Sequence, residues 1–160
     1  MAMDRGFEVL VRPAREADQA GVVNCLAAAF EPYRGDYTTQ AFADTVIDAA
    51  GFLERLRRMH VLVADSGSEI AGTVAGEYAG PQGHLRGMAV LPSWKGTGLA
   101  ARLLLTMENW LRTQGCRRVT LDTTQPLKAA ISFYENSGYR YSGHTADFFG
   151  MPLLEYVKHL

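Results

Sequence analysis

The sequence predicts one mixed α/β domain spanning residues 1–160. A chain of 160 residues favours a single domain, and its 48% apolar and 21% charged residues are ordinary for a globular protein. Segments of helical periodicity alternate with short β-rich segments in the order strand, two helices, three strands, helix, strand, helix, two strands. The first half is therefore rich in hairpins, and the centre is a β-α-β unit.

In the first half of the chain, the sequence predicts strands at the beginning and end of that half and helices between them. The expected segments are a strand at 7–12, a helix at 14–30, a loop at 31–39, a helix at 39–58, and a hairpin of strands 60–65 and 69–78. Pro13 ends the first strand, and Gly51 marks a break in the second helix. Glycines in the last of these strands indicate a bulge.

The second half begins after a turn at Gly80–Gly83. The expected segments are a strand at 85–91, a helix at 98–113, a strand at 117–122, a helix at 127–134, and closing strands at 139–142 and 153–157. The helix at 98–113 has the clearest apolar seam, and Gly115 is placed to end it in a left-handed conformation.

Composition narrows the possible functions. The net charge of −1, from 16 basic and 17 acidic side chains, gives no reason to expect a nucleic acid or a membrane as partner. Cys25 and Cys116 are far apart and form no C-x-x-C motif, so we expect reduced cysteines and no metal. Residues Met1–Phe7 lack the apolar core of a signal peptide, so we expect a cytoplasmic protein.

A glycine-rich segment, "SWKGTGLAARLL" at Ser93–Leu104, lies between a predicted strand and a predicted helix. Glycines let main chain approach a phosphate closely, and a helix N-terminus offers free N–H groups, so this loop is suited to an anion. Its G-x-G-x-x-A pattern and Asp122, 24 residues past Gly98, also match a nicotinamide dinucleotide site. However, Pro92–Lys95 separate the strand from the first glycine, and only 38 residues follow Asp122.

Two motifs resemble those of the GCN5-related N-acetyltransferase (GNAT) superfamily. The segment "AVLPSWKGTGLAARLL" is similar to its acyl-CoA-binding motif, and "LDTTQPLKAAISFYENSGYRYSG" is similar to its second motif. The matching positions are Val90, Pro92, Lys95, Gly98, Ala100 and Leu103 in the first motif, and Ala130, Phe133, Tyr134, Gly138 and Tyr139 in the second. Lys95 replaces the commoner arginine or glutamine, and Leu127 replaces a frequent asparagine.

The resemblance implies a fold and a reaction. The fold is a mostly antiparallel, twisted central sheet of six or seven strands with about four flanking helices. The reaction is acetyl transfer from acetyl-CoA to an amine by direct attack on the thioester. Main-chain groups would hold the pyrophosphate at Lys95, Gly96, Thr97, Gly98, Leu99 and Ala100, and the pantetheine at Met88, Ala89 and Val90. Tyr134 matches the tyrosine that protonates the departing thiolate.

The general base and the acceptor are left open by the sequence. The candidate bases are Glu77, His84 and Asp122, with bulk water as the alternative. The loop at 31–39 offers Glu31 and Asp36 to a cationic amine, with Tyr33 and Tyr37 as aromatic walls. The acceptor would be the amine of a small molecule or of a peptide, and a homodimer is a further expectation. A non-catalytic acyl-CoA-binding module and an NAD-dependent oxidoreductase are the alternative functions.

Overall fold

The structure, a computed structural model, describes residues 9–160. The segment Met1–Phe7 and the first two residues of the strand predicted at 7–12 lie outside the described residues. Seven strands are present: β1 Leu10–Pro13, β2 His60–Asp65, β3 Ile70–Ala79, β4 Gln82–Val90, β5 Arg118–Thr124, β6 Arg140–Phe148 and β7 Met151–His159. Five α-helices accompany them: α1 Gln19–Phe30, α2 Thr39–Thr45, α3 Ala49–Arg58, α4 Leu99–Thr113 and α5 Lys128–Asn136.

All seven strands form one sheet in the order β1-β2-β3-β4-β5-β7-β6. Only β4 and β5 are parallel, and the other neighbours are antiparallel. The α4 helix packs closely on one face of this sheet: a Cβ added to Gly76 of β3 would lie 2.6 Å from the sulfur of Met107. The predicted fold, mixed α/β with a mostly antiparallel sheet, is confirmed.

Several predicted boundaries were wrong for identifiable reasons. The break predicted near Gly51 in the helix at 39–58 is present but lies a few residues earlier, because the Asp48 side chain accepts a hydrogen bond from the Gly51 N–H (2.8 Å) and caps α3. Gly51 therefore lies in the first turn of α3 and not at the break. The segment predicted as a loop contains a 3₁₀-helix at Glu31–Asp36 with a proline near its start. Pro13 belongs to β1, which is an edge strand and tolerates it.

Two predicted features of glycine are confirmed. Gly115 has a φ of +91° and lies just beyond the C-cap of α4. The bulge expected in the glycine-rich strand is present in β3, where the register with β2 shifts near Ala71. Within residues 9–160, no helix is both long enough and apolar enough to cross a membrane.

Candidate active site

A gap opens in the middle of the sheet where β4 and β5 separate. The two strands pair only over Gln82–Leu85 and Arg118–Leu121. Beyond that point β4 continues to Val90 along β3, and β5 continues to Thr124 along β7. No strand among the described residues pairs with Arg86–Val90 on the side of β5. Because alternate residues direct their main-chain polar groups to opposite sides, about half of those on this stretch face the gap.

A bulge in β4 explains the separation, and sequence analysis did not predict it. Thr73 pairs with Ala89 and Ala75 with Arg86, so one residue of β3 faces two residues of β4, Gly87 and Met88. Gly87 has a φ of +63°, which glycine adopts without strain. A bulge bends its strand and increases the local twist, and this carries the end of β4 away from β5. The glycine within "HLRGMAV" was the available signal.

The glycine-rich loop lies at the end of this gap. It runs from a 3₁₀-turn at Pro92–Trp94 to the start of α4, and the Thr97 hydroxyl donates to the Trp94 carbonyl (2.5 Å). Gly96 and Gly98 have φ values of +75° and +82°, and a Cβ added to either would meet nothing within 4 Å. The first N–H groups of α4 have no acceptor within the helix. Open space before free N–H groups makes this loop suitable for a phosphate.

Beside the gap, part of the sheet face on which α4 packs is left uncovered. The side chains of Met88 and Val90 on β4 are only half-buried, as are Ala130 and Ile131 on α5. The sequence predicted the residues of α5 as core seam, and they are instead partly open. These apolar side chains, with the free main-chain edge of β4, are suited to a ligand that has amides on an aliphatic chain.

One buried polar atom near the gap has no partner. Thr123 is 4% exposed, and its hydroxyl makes no hydrogen bond within the described part of the chain. It lies two residues beyond the last β5 residue that pairs with β4. By strand alternation it shares the face of Val119 and Leu121, which is the α4 face. A buried hydroxyl without a hydrogen-bonding partner lowers the free energy of unfolding, so Thr123 is better suited to a ligand-bound state in which the ligand supplies that partner.

Tyr134 is buried in α5. Its ring packs against the rings of Phe133 (5.5 Å) and Tyr139 (5.9 Å), and its hydroxyl has no hydrogen-bonding partner among residues 9–160. Burial alone raises the pKa of Tyr134 to about 12. The phenol is therefore protonated at neutral pH and retains its proton for donation.

On the opposite face of the sheet the structure brings two of the candidate bases together. His84 Nε2 lies 3.6 Å from an Asp122 carboxylate oxygen, and His84 Nδ1 is 2.8 Å from the Thr120 hydroxyl. Burial raises the pKa of Asp122, and the neighbouring Glu155 carboxylate adds to this, while the His84 ring opposes it. The two partners of the imidazole fix its orientation beside the last paired residues of β4.

The third candidate base, Glu77, is directly across from His84 in the β3–β4 register. Its side chain is exposed and lines a cleft beneath α2 and α3. Three of the four acceptor-site candidates, Glu31, Tyr33 and Asp36, lie elsewhere, on the 3₁₀-helix at Glu31–Asp36. Glu31 is occupied by an exposed ion pair with Arg34 (2.9 Å). Asp36 is exposed, and Tyr33 is half-buried. The structure therefore provides no free acidic pair for a cationic amine on this segment.

The segment is nevertheless anchored near the gap by Tyr37, which the sequence offered as an aromatic wall of the acceptor site. The Tyr37 and Thr124 hydroxyls are 2.6 Å apart, which ties the end of the 3₁₀-helix to the end of β5. Burial raises the pKa of Tyr37. This contact depends on residues 87 positions apart and has no local sequence signal.

The family model of the acetyltransferase (GNAT) family matches residues 22–139, which is more than half of the chain. The chain belongs to the GNAT acetyltransferase family. The matched region of this GNAT chain begins in α1 and ends just after α5, so it includes the gap, the glycine-rich loop and Tyr134.

Solved structures have the same fold as this GNAT chain. The PaiA N-acetyltransferase of Thermoplasma acidophilum, solved in complex with coenzyme A, has 16% identity and a TM-score of 0.82, over 95% of this chain and 99% of that one. A GCN5-related N-acetyltransferase of Rhodopseudomonas palustris has 23% identity and a TM-score of 0.77, over 94% and 95%. A ribosomal-protein-alanine N-acetyltransferase of Brucella melitensis has 22% identity and a TM-score of 0.73, over 94% and 99%.

Proposed function

We propose that this protein is an acetyl-CoA-dependent N-acetyltransferase that acetylates a primary amine by direct attack on the thioester. The observation that carries the proposal is the gap between β4 and β5, which has a helix N-terminus at one end and the unpartnered hydroxyl of Thr123 beside it. The solved relative that binds coenzyme A supports the choice of cofactor. The names of the relatives from Thermoplasma and Brucella support transfer to nitrogen.

Acetyl-CoA would lie along the free edge of β4. Main-chain groups of Met88, Ala89 and Val90 would pair with the pantetheine amides in the manner of an added strand. The pyrophosphate would lie on the N–H groups of Lys95–Ala100, with the Lys95 ammonium as a counter-charge. A main-chain N–H of the bulged segment would polarise the thioester carbonyl as the tetrahedral centre forms.

The transfer needs two proton movements, and different faces of the sheet supply them. His84, oriented by Thr120 and Asp122, removes a proton from the acceptor ammonium, directly or through one water. The amine nitrogen then attacks the carbonyl carbon, and the C–S bond breaks as the nitrogen loses its second proton and the amide forms. The departing thiolate takes the Tyr134 proton, and the phenolate regains a proton, through water, from the second N–H of the attacking nitrogen. This return is needed because the thiol, with a pKa of about 8.5, is a stronger acid than the phenol. Glu77 lies beside His84 and attracts the ammonium.

The proposal is tested by thiol release from acetyl-CoA with a panel of amines, together with thermal shifts on adding CoA or NAD. We expect CoA, and not NAD, to raise the melting temperature, and at least one amine to release thiol stoichiometrically with its acetylation. Stabilisation by CoA without release across the whole panel would instead support a binding module. Stabilisation by NAD alone would support an oxidoreductase.

Thr123→Val gives a test of the cofactor position that does not depend on turnover. Removing an unsatisfied buried hydroxyl is expected to stabilise the free protein by about 1 kcal/mol, which raises the melting temperature by about 2–4 °C. The same change is expected to weaken CoA binding about 2- to 10-fold, because the cofactor group that the hydroxyl would bind loses its partner. Calorimetry of unfolding and of CoA binding measures both effects.

Thr120→Val is the matched control on the same strand. Its hydroxyl already bonds to His84, so the substitution is expected to lower the melting temperature and leave CoA binding unchanged. If Thr123→Val destabilised the free protein, or bound CoA as tightly as wild type, the hydroxyl would have no role at the cofactor.

The remaining expectations concern the cysteines, the domain count, the cellular location and the oligomeric state. Cys25 and Cys116 are both free and buried, which supports a reduced environment. The single acetyltransferase domain, the cytoplasmic location and the homodimer stay predictions.

A further inference from the structure

A cleft of about 570 Å³ lies beneath α2 and α3, on the sheet face that carries His84. Its volume is in the range of small-molecule sites. Its charged residues are Asp44 on α2, Asp48 at the N-cap of α3, Glu54, Arg55 and Arg58 on α3, and Glu77 and Arg86 on the adjoining strands. Glu77 is the cross-strand neighbour of His84, and Arg86 follows His84 by two residues on the same face. The cleft therefore borders the candidate base.

Most charges of the cleft are already satisfied. Arg86 pairs with Asp44 (3.1 Å), and Glu54 pairs with Arg57 (2.6 Å) on the outer side of α3. Asp48 accepts the capping hydrogen bond from Gly51 (2.8 Å). Arg58, on the rim, lies 3.9 Å from Glu54.

Two charges in the cleft have no such partner. Neither Arg55 nor Glu77 makes an ion pair or a side-chain hydrogen bond within residues 9–160. Burial lowers the pKa of Arg55 to about 10, and the positive charge of Arg86 contributes. Arg55 is therefore still a cation at neutral pH. It is half-buried, and the one carboxylate that raises its pKa, Asp44, is already paired with Arg86. A desolvated guanidinium of this kind is stabilised by an anion that fits its planar donor fork.

The position of Arg55 relates this cation to the reaction. Arg55 Nη1 would be 2.2 Å from a Cβ added to Gly87, so the guanidinium packs on the main chain of the β4 bulge. Any other residue at 87 would displace it. The bulge is the point at which β4 leaves β5, where the thioester carbonyl lies under the proposed function. An anion on Arg55 would therefore be close to the acetyl group.

We propose that the acceptor is an amino-carboxylate, in which a carboxylate on Arg55 and an ammonium on Glu77 place the amine beside His84. This inference rests on the proposed function and adds the class of acceptor. A guanidinium binds a carboxylate through two parallel hydrogen bonds, which fixes orientation as well as position. The pairing of unpartnered cation and anion across one small cleft matches a zwitterion and disfavours a polyamine, whose second cation would face Arg55 and Arg86.

The test compares amines that differ only in the carboxylate. Wild type is assayed by thiol release with 4-aminobutyrate, its carboxamide, butylamine and 1,4-diaminobutane, with free α-amino acids, and with a short peptide that has an N-terminal aspartate. We expect kcat/KM to be at least about 10-fold higher with a carboxylate than with its matched amide. The amino acids and the peptide distinguish a free small molecule from a chain terminus as the source of the carboxylate.

Arg55→Met keeps the length of the side chain and removes the charge. It is expected to lower kcat/KM for the preferred amino-carboxylate about 10- to 100-fold, mainly through KM, with much less effect on butylamine. Arg55→Lys keeps the charge without the fork and should lie between the two. Arg57→Met is the matched control, because Arg57 is an exposed arginine of the same helix that lies outside the cleft, and it should behave as wild type.

Calorimetric titration of amino-carboxylate into CoA-loaded protein separates this inference from the proposed function. Binding that requires the carboxylate and is lost in Arg55→Met supports the inference even where no amine is acetylated. The inference is overturned if wild type shows no preference for the carboxylate in rate or in binding. Equal losses on charged and uncharged amines in Arg55→Met would also overturn it, since Arg55 would then act on the reaction centre or the fold.

Discussion

Tyr134→Phe is expected to lower kcat by about 100-fold or more, the contribution of a positioned proton donor. The Tyr134 hydroxyl makes no hydrogen bond within the described residues, and its burial keeps it protonated, with a pKa of about 12. Removing it therefore costs the fold little and takes from the thiolate its nearest acid. KM for acetyl-CoA should change less than threefold, since the ring remains in place between Phe133 and Tyr139.

The pH dependence of the rate gives a second measurement of the same role. Because the pKa of Tyr134 is raised and the protonated phenol is the active form, its titration should not lower kcat below about pH 11. The rate should fall on the acid side, where more of the amine is held as the unreactive ammonium. In Tyr134→Phe the acid side should keep its shape while the plateau falls.

Tyr156→Phe is the matched control, since Tyr156 is also a buried tyrosine but lies on β7. It is expected to keep the wild-type kcat. A Tyr134→Phe enzyme with a rate within threefold of wild type would mean that water or another group protonates the thiolate. Circular dichroism and CoA-induced thermal shifts would confirm that both variants are folded and bind the cofactor.

The parts of the site that could be predicted from sequence are those encoded locally. A loop that begins at Pro92, bends at two glycines and leads into an amphipathic helix is determined by neighbouring residues. Tyr134 was found the same way, from a motif within one helix and the turn after it. In each case the residues that form the motif lie within the loop or helix that they predict, so the motif can be recognised without knowing which distant segments pack against it.

The gap itself depends on pairings between distant segments. The sequence of β4 predicts a strand, but it does not say that pairing with β5 stops at Leu85 or that Gly87 begins a bulge. The register of a strand is set by its partners. For the same reason the sequence offered His84 and Asp122 as separate alternatives, whereas the parallel pairing of β4 and β5 places them 3.6 Å apart.

The residues proposed to bind the acceptor show more clearly what the sequence alone could not predict. Acidic residues at Glu31–Asp36 suggested a cationic amine, but Glu31 is satisfied by Arg34 on the next turn. The charges left without partners, Arg55 and Glu77, come from a helix and a strand that are distant in sequence. Which charges are free is a property of the whole fold, because it depends on every possible partner.

Lys158→Met is expected to have the largest effect on stability, about 3 kcal/mol. Glu108 of α4 is 3% exposed, and both of its carboxylate oxygens lie 3.1 Å from Lys158 Nζ on β7. The Tyr139 hydroxyl donates to the same carboxylate (2.7 Å). Burial and the Glu108 charge raise the pKa of Tyr139, so this phenol stays a donor. Without Lys158, the buried carboxylate keeps one neutral partner and no counter-ion.

The loss corresponds to a fall of about 6–12 °C in the melting temperature, since about 1 kcal/mol shifts a domain of this size by 2–4 °C. Lys128→Met, at an exposed lysine of α5, is the control and should melt like wild type. A second variant isolates the cause. Glu108→Gln with Lys158→Met removes the charge but keeps an acceptor for Tyr139, and it should recover most of the lost stability, because a buried ion pair contributes little beyond its neutral replacement. If the double variant melted no higher than Lys158→Met alone, the packing of the lysine stem against Gly138 and Tyr139 would be responsible instead of the unpaired charge.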